Sequence, residues 1–200
     1  MSRLKGLVPE ELDDVRRALF EAIAEGPRSR GPKGGRLTDA SGALIGPFNA
    51  LLFSPTIGTA IHQLGEAIRF SSALKPNLLE VAVLVIGREW SAQFEWWAHE
   101  RFALRDGVDQ AVIDAIRDRR DPPFDNPEEA LVHRFCRELI DRRRIADPTY
   151  REAVALLGEG SVVELLALLG YYSMISMILN TFEVPVPEGA EPPFSEPPIP

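Results

Sequence analysis

Apolar residues recur mostly at helical spacing along this chain. Leu12, Val15, Leu19 and Ile23, for example, would share one face of a helix over residues 9–25. Turn residues separate similar segments and predict helices over 55–71, 78–87, 89–106, 108–117, 127–144, 148–157 and 161–181, with a short apolar helical turn before Ser54. No segment shows the alternation of a half-buried strand. The pattern therefore predicts an all-α fold.

The last of these helices belongs to the most apolar stretch, residues 162–182. Glu164 and Asn180 interrupt this stretch and leave 165–179, which is shorter than the ~20 residues that span a bilayer. We therefore predict a buried helix and no membrane partner. Because apolar residues occur on all sides of its 171–179 part, the helix must be covered all round, which favours a homo-oligomer.

Proline and glycine indicate how the chain is divided. Residues 26–35 are rich in Gly, Pro, Lys and Arg and predict a loop. We therefore expect an N-terminal helix and loop over 1–38 and a single helical domain over 39–182. The tail, 183–200, contains seven of the seventeen prolines and is predicted to be extended, with Phe194 and Ile199 as candidate anchors.

Composition narrows the class of protein. Of the 200 residues, 45% are hydrophobic and 26% are charged, which is typical of a soluble globular protein. The net charge of −8 argues against a nucleic-acid partner, because phosphate binding needs a basic face. The N-terminus turns acidic before any apolar run builds, so we predict no signal peptide and a cytoplasmic location.

The candidate chemistry lies in the segment from Glu80 to His99. Ala92, Glu95 and His99 are spaced i, i+3 and i+7 and would share one helix face, where Glu95 and His99 can share a proton or a ligand. An apolar, aromatic neighbourhood would raise the pKa of a carboxyl group and lower that of an imidazole, which suits acid–base catalysis. The same spacing is also typical of a surface pair worth about 0.2–0.5 kcal/mol.

These residues carry a resemblance to a known family. The spacing of Glu80, Ala92, Glu95 and His99 is that of Glu-x11-Cys-x2-Cys-x3-His in alkylhydroperoxidase D-type members of the carboxymuconolactone decarboxylase superfamily, with Ala92 and Glu95 at the cysteine positions. Glu95-Trp96-Trp97-Ala98-His99 resembles a cysteine-less branch that has Glu-Trp-x2-His. Further matches cover roughly residues 40–188: Gly46-Pro47-Phe48-Asn49, Arg69-Phe70, Gly170-Tyr171-Tyr172 and Leu179 to Pro185.

The resemblance implies an all-helical protomer that forms trimers or hexamers, or sometimes dimers, with a buried pocket near a subunit interface. It does not imply two-cysteine peroxidase activity, which needs a thiolate nucleophile and a resolving thiol. The single cysteine, Cys136, lies far along the chain and is predicted to be a buried structural residue. No intrachain disulfide can form.

Glu80, Glu95 and His99 are the predicted catalytic residues. In a lactone decarboxylation, loss of carbon dioxide leaves an enolate-like charge that a histidine or a protonated glutamate can quench. We therefore expect decarboxylase or lyase chemistry on a small organic acid or lactone, with no cofactor. The predicted substrate-binding residues are Trp96, Arg88, His62, Phe48, Asn49 and Tyr172, and Arg69 is a further candidate for an acidic substrate.

Two alternatives remain open at this stage. Two carboxylates and an imidazole form a plausible set for a divalent cation, although no fourth ligand is evident, and the main prediction includes no metal. The second alternative is an oligomer that binds a small hydrophobic molecule without turnover, in a pocket walled by the aromatic-rich helix and the 165–179 helix.

Overall fold

The computed structural model describes residues 2–30 and 36–195, and within these ranges it contains helices and no β-strand. The predicted all-α fold is thus confirmed. The nine α-helices of the described residues are α1 (Asp14–Ala24), α2 (Phe48–Leu51), α3 (Pro55–Phe70), α4 (Pro76–Glu89), α5 (Gln93–Arg105), α6 (Gln110–Arg117), α7 (Pro127–Arg142), α8 (Asp147–Leu157) and α9 (Glu159–Thr181). The chain forms two compact units, residues 1–71 with 177–191 and residues 72–176 with 192–200.

The first unit is built on α1, α2 and α3. The predicted helix over 9–25 is interrupted, because Pro9–Glu11 forms a separate 3-10 helix and Asp13 caps α1 by accepting a hydrogen bond from the N–H of Arg16. The core of this unit contains Leu12, Leu19, Phe20, Ile23, Leu44, Leu51 and Leu52. An isolated antiparallel bridge joins Thr38 to Leu44. The last five residues of the predicted 26–35 loop lie outside the described residues.

The second unit is organised around α4, which contacts α5, α6 and α7. Ten consecutive residues of α4, from Leu78 to Gly87, are buried. A helix that is apolar on all sides must be covered on all sides, and these three neighbours cover it. Glu80 lies within this buried run, so its carboxyl group is removed from water by the position of α4 in the unit.

The turn between α4 and α5 differs from the prediction. Gly87 was expected to end one helix, with the next beginning at Glu89, whereas α4 continues to Glu89 and α5 begins at Gln93. The reversal occurs at Ser91, which has a left-handed backbone with φ of 45°. The N–H of Ala92 donates to the carbonyl of Gly87 and closes the turn. Ala92 therefore precedes α5 rather than lying within it.

Helix α9 is the one helix among the described residues that is long and apolar enough to cross a membrane, with a mean hydropathy of 1.9 in its most apolar window. Half of that window is buried within the protein, and the core helix of a soluble protein meets the same length and composition criteria. This finding is weak support for a membrane span. A helix is present where one is predicted over 161–181, but it is only half buried in its most apolar part.

Phe194, one of the two candidate anchors, holds the C-terminal tail in the second unit. The backbone N–H of Phe194 donates to Oε1 of Gln93, and its carbonyl accepts from Nε2 of Gln93, both at 3.0 Å. The Phe194 ring is buried against Trp96, with ring centroids 5.3 Å apart. The other candidate, Ile199, lies outside the described residues.

Candidate active site

The predicted catalytic residues meet within the second unit. Glu80 lies on α4, and Glu95 and His99 lie one turn apart on α5. The tight turn at Ser91 folds α5 back against α4, so the imidazole of His99 reaches a carboxylate that is 19 residues earlier in the sequence. Packing of the two helices therefore creates a contact that helical periodicity alone does not predict.

His99 lies between the two carboxylates. Its Nδ1 is 2.6 Å from Oε2 of Glu80, and its Nε2 is 3.0 Å from Oε1 of Glu95. All three side chains are buried: the exposed fractions are 2% for Glu80, 4% for Glu95 and 6% for His99. An ionised carboxylate can only accept hydrogen bonds, so a protonated imidazole satisfies both contacts at once. This burial also excludes the surface-pair interpretation of Glu95 and His99.

Burial alone would lower the pKa of His99, because it penalises the imidazolium cation. The negative charges of Glu80 and then Glu95 oppose this effect, and hydrogen bonds to both carboxylates add to the opposition. The result is a raised pKa for His99. Burial acts on His99 in the predicted direction, but the predicted net lowering of the imidazole pKa is wrong, because it left out the charges of both carboxylates.

Aromatic rings enclose His99. The ring of Tyr172, on α9, meets the imidazole edge-on with centroids 5.0 Å apart, and Phe102 does the same at 5.4 Å. Tyr171 packs edge-on against Tyr172. The structure thus brings the predicted Tyr172 to the site, and it adds Phe102, which the sequence interpretation missed. The sequence did contain a signal for this contact, because Phe102 is three residues after His99 and residues at that spacing are neighbours on a helix.

Trp96 and Arg88 lie in the same unit and make structural contacts. Trp96 is fully buried, and its Nε1 has no hydrogen-bond partner in the described part of the chain. Arg88 donates from Nε to the carbonyl of Arg117 and from Nη1 to Oγ of Ser91, and its guanidinium lies 4.6 Å from the Phe194 ring centroid. These contacts hold the α4–α5 turn and the tail. Substrate binding by Trp96 and Arg88 stays a prediction.

The other three predicted substrate-binding residues belong to the first unit. Asn49 holds the N-terminal segment, because its Oδ1 accepts from the N–H of Leu7 and its Nδ2 donates to the carbonyl of Lys5. Phe48 packs on the core of that unit. His62 is buried on α3. No substrate role for these residues is tested by their contacts, so that part of the assignment also stays a prediction.

Thiol chemistry and metal binding find little support in the described residues. Cys136 is fully buried, and burial raises the pKa of its thiol, which disfavours the reactive thiolate. Among residues 2–30 and 36–195, no three His, Cys, Asp or Glu side chains are arranged to hold a metal ion. At His99 both ring nitrogens already face carboxylate oxygens, so neither lone pair is directed at a shared cation.

The raised pKa of His99 predicts how stability varies with pH. Between the unfolded value of about 6.5 and the higher folded value, the folded state binds more protons than the unfolded state. The stabilisation from His99 is therefore complete below pH 6.5 and is lost as the pH rises through the folded pKa, by up to about 1.4 kcal/mol per pH unit. Urea unfolding from pH 6.5 to 9 measures this slope.

The variant His99→Gln is the control for this pH dependence, because it lacks the titrating group and should flatten the slope above pH 6.5. The pKa values of His62 and His133 are lowered, mainly by burial, so these histidines change stability below pH 6.5 and in the opposite direction. Equal slopes for the variant and the wild type above pH 6.5 would contradict the assignment.

Comparisons with known proteins place the fold. No family sequence profile and no curated protein matches the chain. Solved structures do match it. An uncharacterised peroxidase-related protein from Ralstonia eutropha JMP134, described as an alkylhydroperoxidase AhpD core, superposes with a TM-score of 0.70 at 14% identity, covering 94% of this chain and 93% of its own.

Two further structures are similar over nearly their whole length. One is a peroxidase-related protein from Silicibacter sp. TM1040, with a TM-score of 0.68 at 14% identity over 94% of this chain and 92% of its own. The other is a cysteine-to-alanine variant of the debrominase Bmp8 bound to 2,3,4-tribromopyrrole, with a TM-score of 0.68 at 12% identity over 94% and 95%. The chain therefore has the AhpD-like fold that the motif resemblance implies.

Proposed function

We propose that this protein is an acid–base enzyme that moves a proton on a small organic acid or lactone, as a decarboxylase or lyase does. The observation that carries the proposal is the buried row of Glu80, His99 and Glu95. A histidine between two carboxylates holds a proton at a defined position, and the raised pKa keeps that proton available near neutral pH. The AhpD-like fold of a debrominase supports an enzyme on this scaffold.

The mechanism assigns one role to each side chain. His99, as imidazolium, is the source of the proton that quenches the carbanion or enolate formed when a carbon–carbon bond breaks. Because both of its N–H groups face carboxylates, that proton reaches the carbanion through Glu95. Glu80, closest to Nδ1, stabilises the imidazolium and fixes the ring orientation. Glu95, at Nε2, lies on the opposite side of the ring, where it can relay a proton to or from the imidazole. The proposal requires no cofactor, and the buried site shields the carbanion from bulk water.

A panel of γ-lactone acids and β-keto acids tests the proposal. The measured signal is release of carbon dioxide or a decrease in the absorbance of the substrate. Turnover by the wild-type protein that is lost in His99→Gln supports an acid–base enzyme. Saturable binding of panel members without product supports the second candidate, a small-molecule-binding protein, for which the aromatic enclosure of His99 by Phe102 and Tyr172 is the favouring observation.

We also propose that the protein is a cytoplasmic homo-oligomer with a small-molecule substrate and without nucleic-acid or membrane partners. Val163 and Leu166 of α9 support this proposal, because their side chains are 66% and 43% exposed although they lie on the most apolar helix. Covering such residues drives association. Light scattering at micromolar concentration should give a multiple of the 22.2 kDa chain mass, and a strict monomer would contradict the proposal.

A further inference from the structure

The first unit contains a cavity of about 590 Å³ between α1 and α3, which is within the size range of small-molecule sites. Its apolar wall is formed by Val15, Ala18, Leu19 and Ala22, which follow one another along one side of α1. This cavity shares no residue with the site around His99. It is therefore a separate candidate for a ligand.

The polar part of this cavity contains buried atoms that lack partners. His62 is only 3% exposed, and its Nδ1 has no hydrogen-bond partner within the described part of the chain. Oε1 of Glu66, one helical turn further along α3, is also buried and without a hydrogen-bond partner there. It lies 3.6 Å from Nε2 of His62, too far for a hydrogen bond. A buried polar group without a partner destabilises the folded state, so a ligand that supplies the missing bonds would bind favourably.

The charges around the cavity select the type of ligand. Two carboxylates, Asp14 and Glu66, line it, and among the described residues no lysine or arginine does. The imidazole of His62 is neutral near pH 7, because burial and the charge of Arg28 lower its pKa more than Glu66 and the Ala22 carbonyl raise it. The guanidinium of Arg28 lies over the Phe48 and Phe70 rings and is not part of the cavity lining.

We propose that this cavity is a second ligand site, which binds a primary amine with a compact apolar body. The ammonium group donates hydrogen bonds to Oε1 of Glu66 and to His62, and the apolar body packs on the α1 wall. An ammonium group satisfies the buried carboxylate oxygen and neutralises its charge, whereas an alcohol satisfies it without neutralisation. A carboxylate would be repelled by Glu66 and Asp14.

Isothermal titration calorimetry with three probes of one shape tests the proposal: benzylamine, benzyl alcohol and benzoate, each at pH 7. Benzylamine should bind saturably at one per chain, about tenfold or more tighter than benzyl alcohol, which is the difference expected from one charge-assisted hydrogen bond. Benzoate should not bind. The variant Glu66→Gln should weaken benzylamine binding about tenfold or more and change the affinity for benzyl alcohol by less than about threefold.

Two further variants keep the test decisive. Glu21→Gln removes the same charge from an exposed position of α1 that does not line the cavity, and it should bind benzylamine as the wild type does. Ala18→Phe fills the cavity without changing its polar residues and should abolish binding, even if Glu66→Gln fails to fold. The proposal is overturned if benzoate binds as tightly as benzylamine, if Ala18→Phe retains full affinity, or if no probe gives saturable heat.

Discussion

Replacing His99 by glutamine is expected to reduce turnover of any substrate found for this protein by about 10²- to 10⁴-fold, the range that a positioned acid or base contributes. Glutamine keeps a hydrogen-bonding amide between Glu80 and Glu95 but cannot take up and release a proton near neutral pH. The loss should fall on kcat, because the proton is needed in the transition state rather than for binding. Steady-state kinetics of the purified variant measure the effect.

His133 offers a matched control in the same unit. It lies on α7 against the Phe124 ring, and its pKa is lowered by burial and by Arg137. His133→Gln makes the same chemical change away from Glu80 and Glu95, and its kcat should stay within about twofold of the wild-type value. Full activity in His99→Gln would remove the acid–base role of His99.

The helices could be predicted from the sequence because their apolar periodicity and their turn residues are local signals. The clearest boundary error concerns α4. Gly87 is a common helix terminator, but here the helix continues and reverses at Ser91, which adopts φ of 45° without being glycine. The hydrogen bond from Ala92 to Gly87 compensates that strained backbone. A left-handed backbone at a serine has no signature in a single sequence.

The candidate site could be predicted only in part. The pairing of Glu95 with His99 follows from helical spacing, whereas the approach of Glu80 follows from packing of α4 on α5, and the sequence indicated it only through the family resemblance. The direction of the His99 pKa shift depends on a competition between burial and two carboxylates. Spacing does not determine that balance, because it gives no distances between helices.

Glu80→Gln is expected to lower the free energy of unfolding by about 3 kcal/mol near pH 6.5, because it leaves the buried imidazolium with one carboxylate instead of two. Glu129→Gln is the matched control. Glu129 is also buried in the second unit, but its Oε1 accepts from the neutral amide of Asn77, so its replacement should cost less than half as much. Urea unfolding of both variants gives the comparison.

The variant Glu80→Gln also separates a charge effect of Glu80 from a packing effect. Glu80 exerts the largest attraction on the His99 imidazolium, ahead of Glu95, so Glu80→Gln should lower the pKa of His99 more than Glu95→Gln does. A pH titration of the His99 ring signals by NMR measures both shifts. Because a neutral imidazole needs no second carboxylate, the destabilisation by Glu80→Gln should also shrink as the pH rises above the wild-type pKa of His99. A loss of stability that is equal at pH 6.5 and pH 9 would instead mean that Glu80 acts through packing, and the proton held at His99 would lose its main electrostatic support.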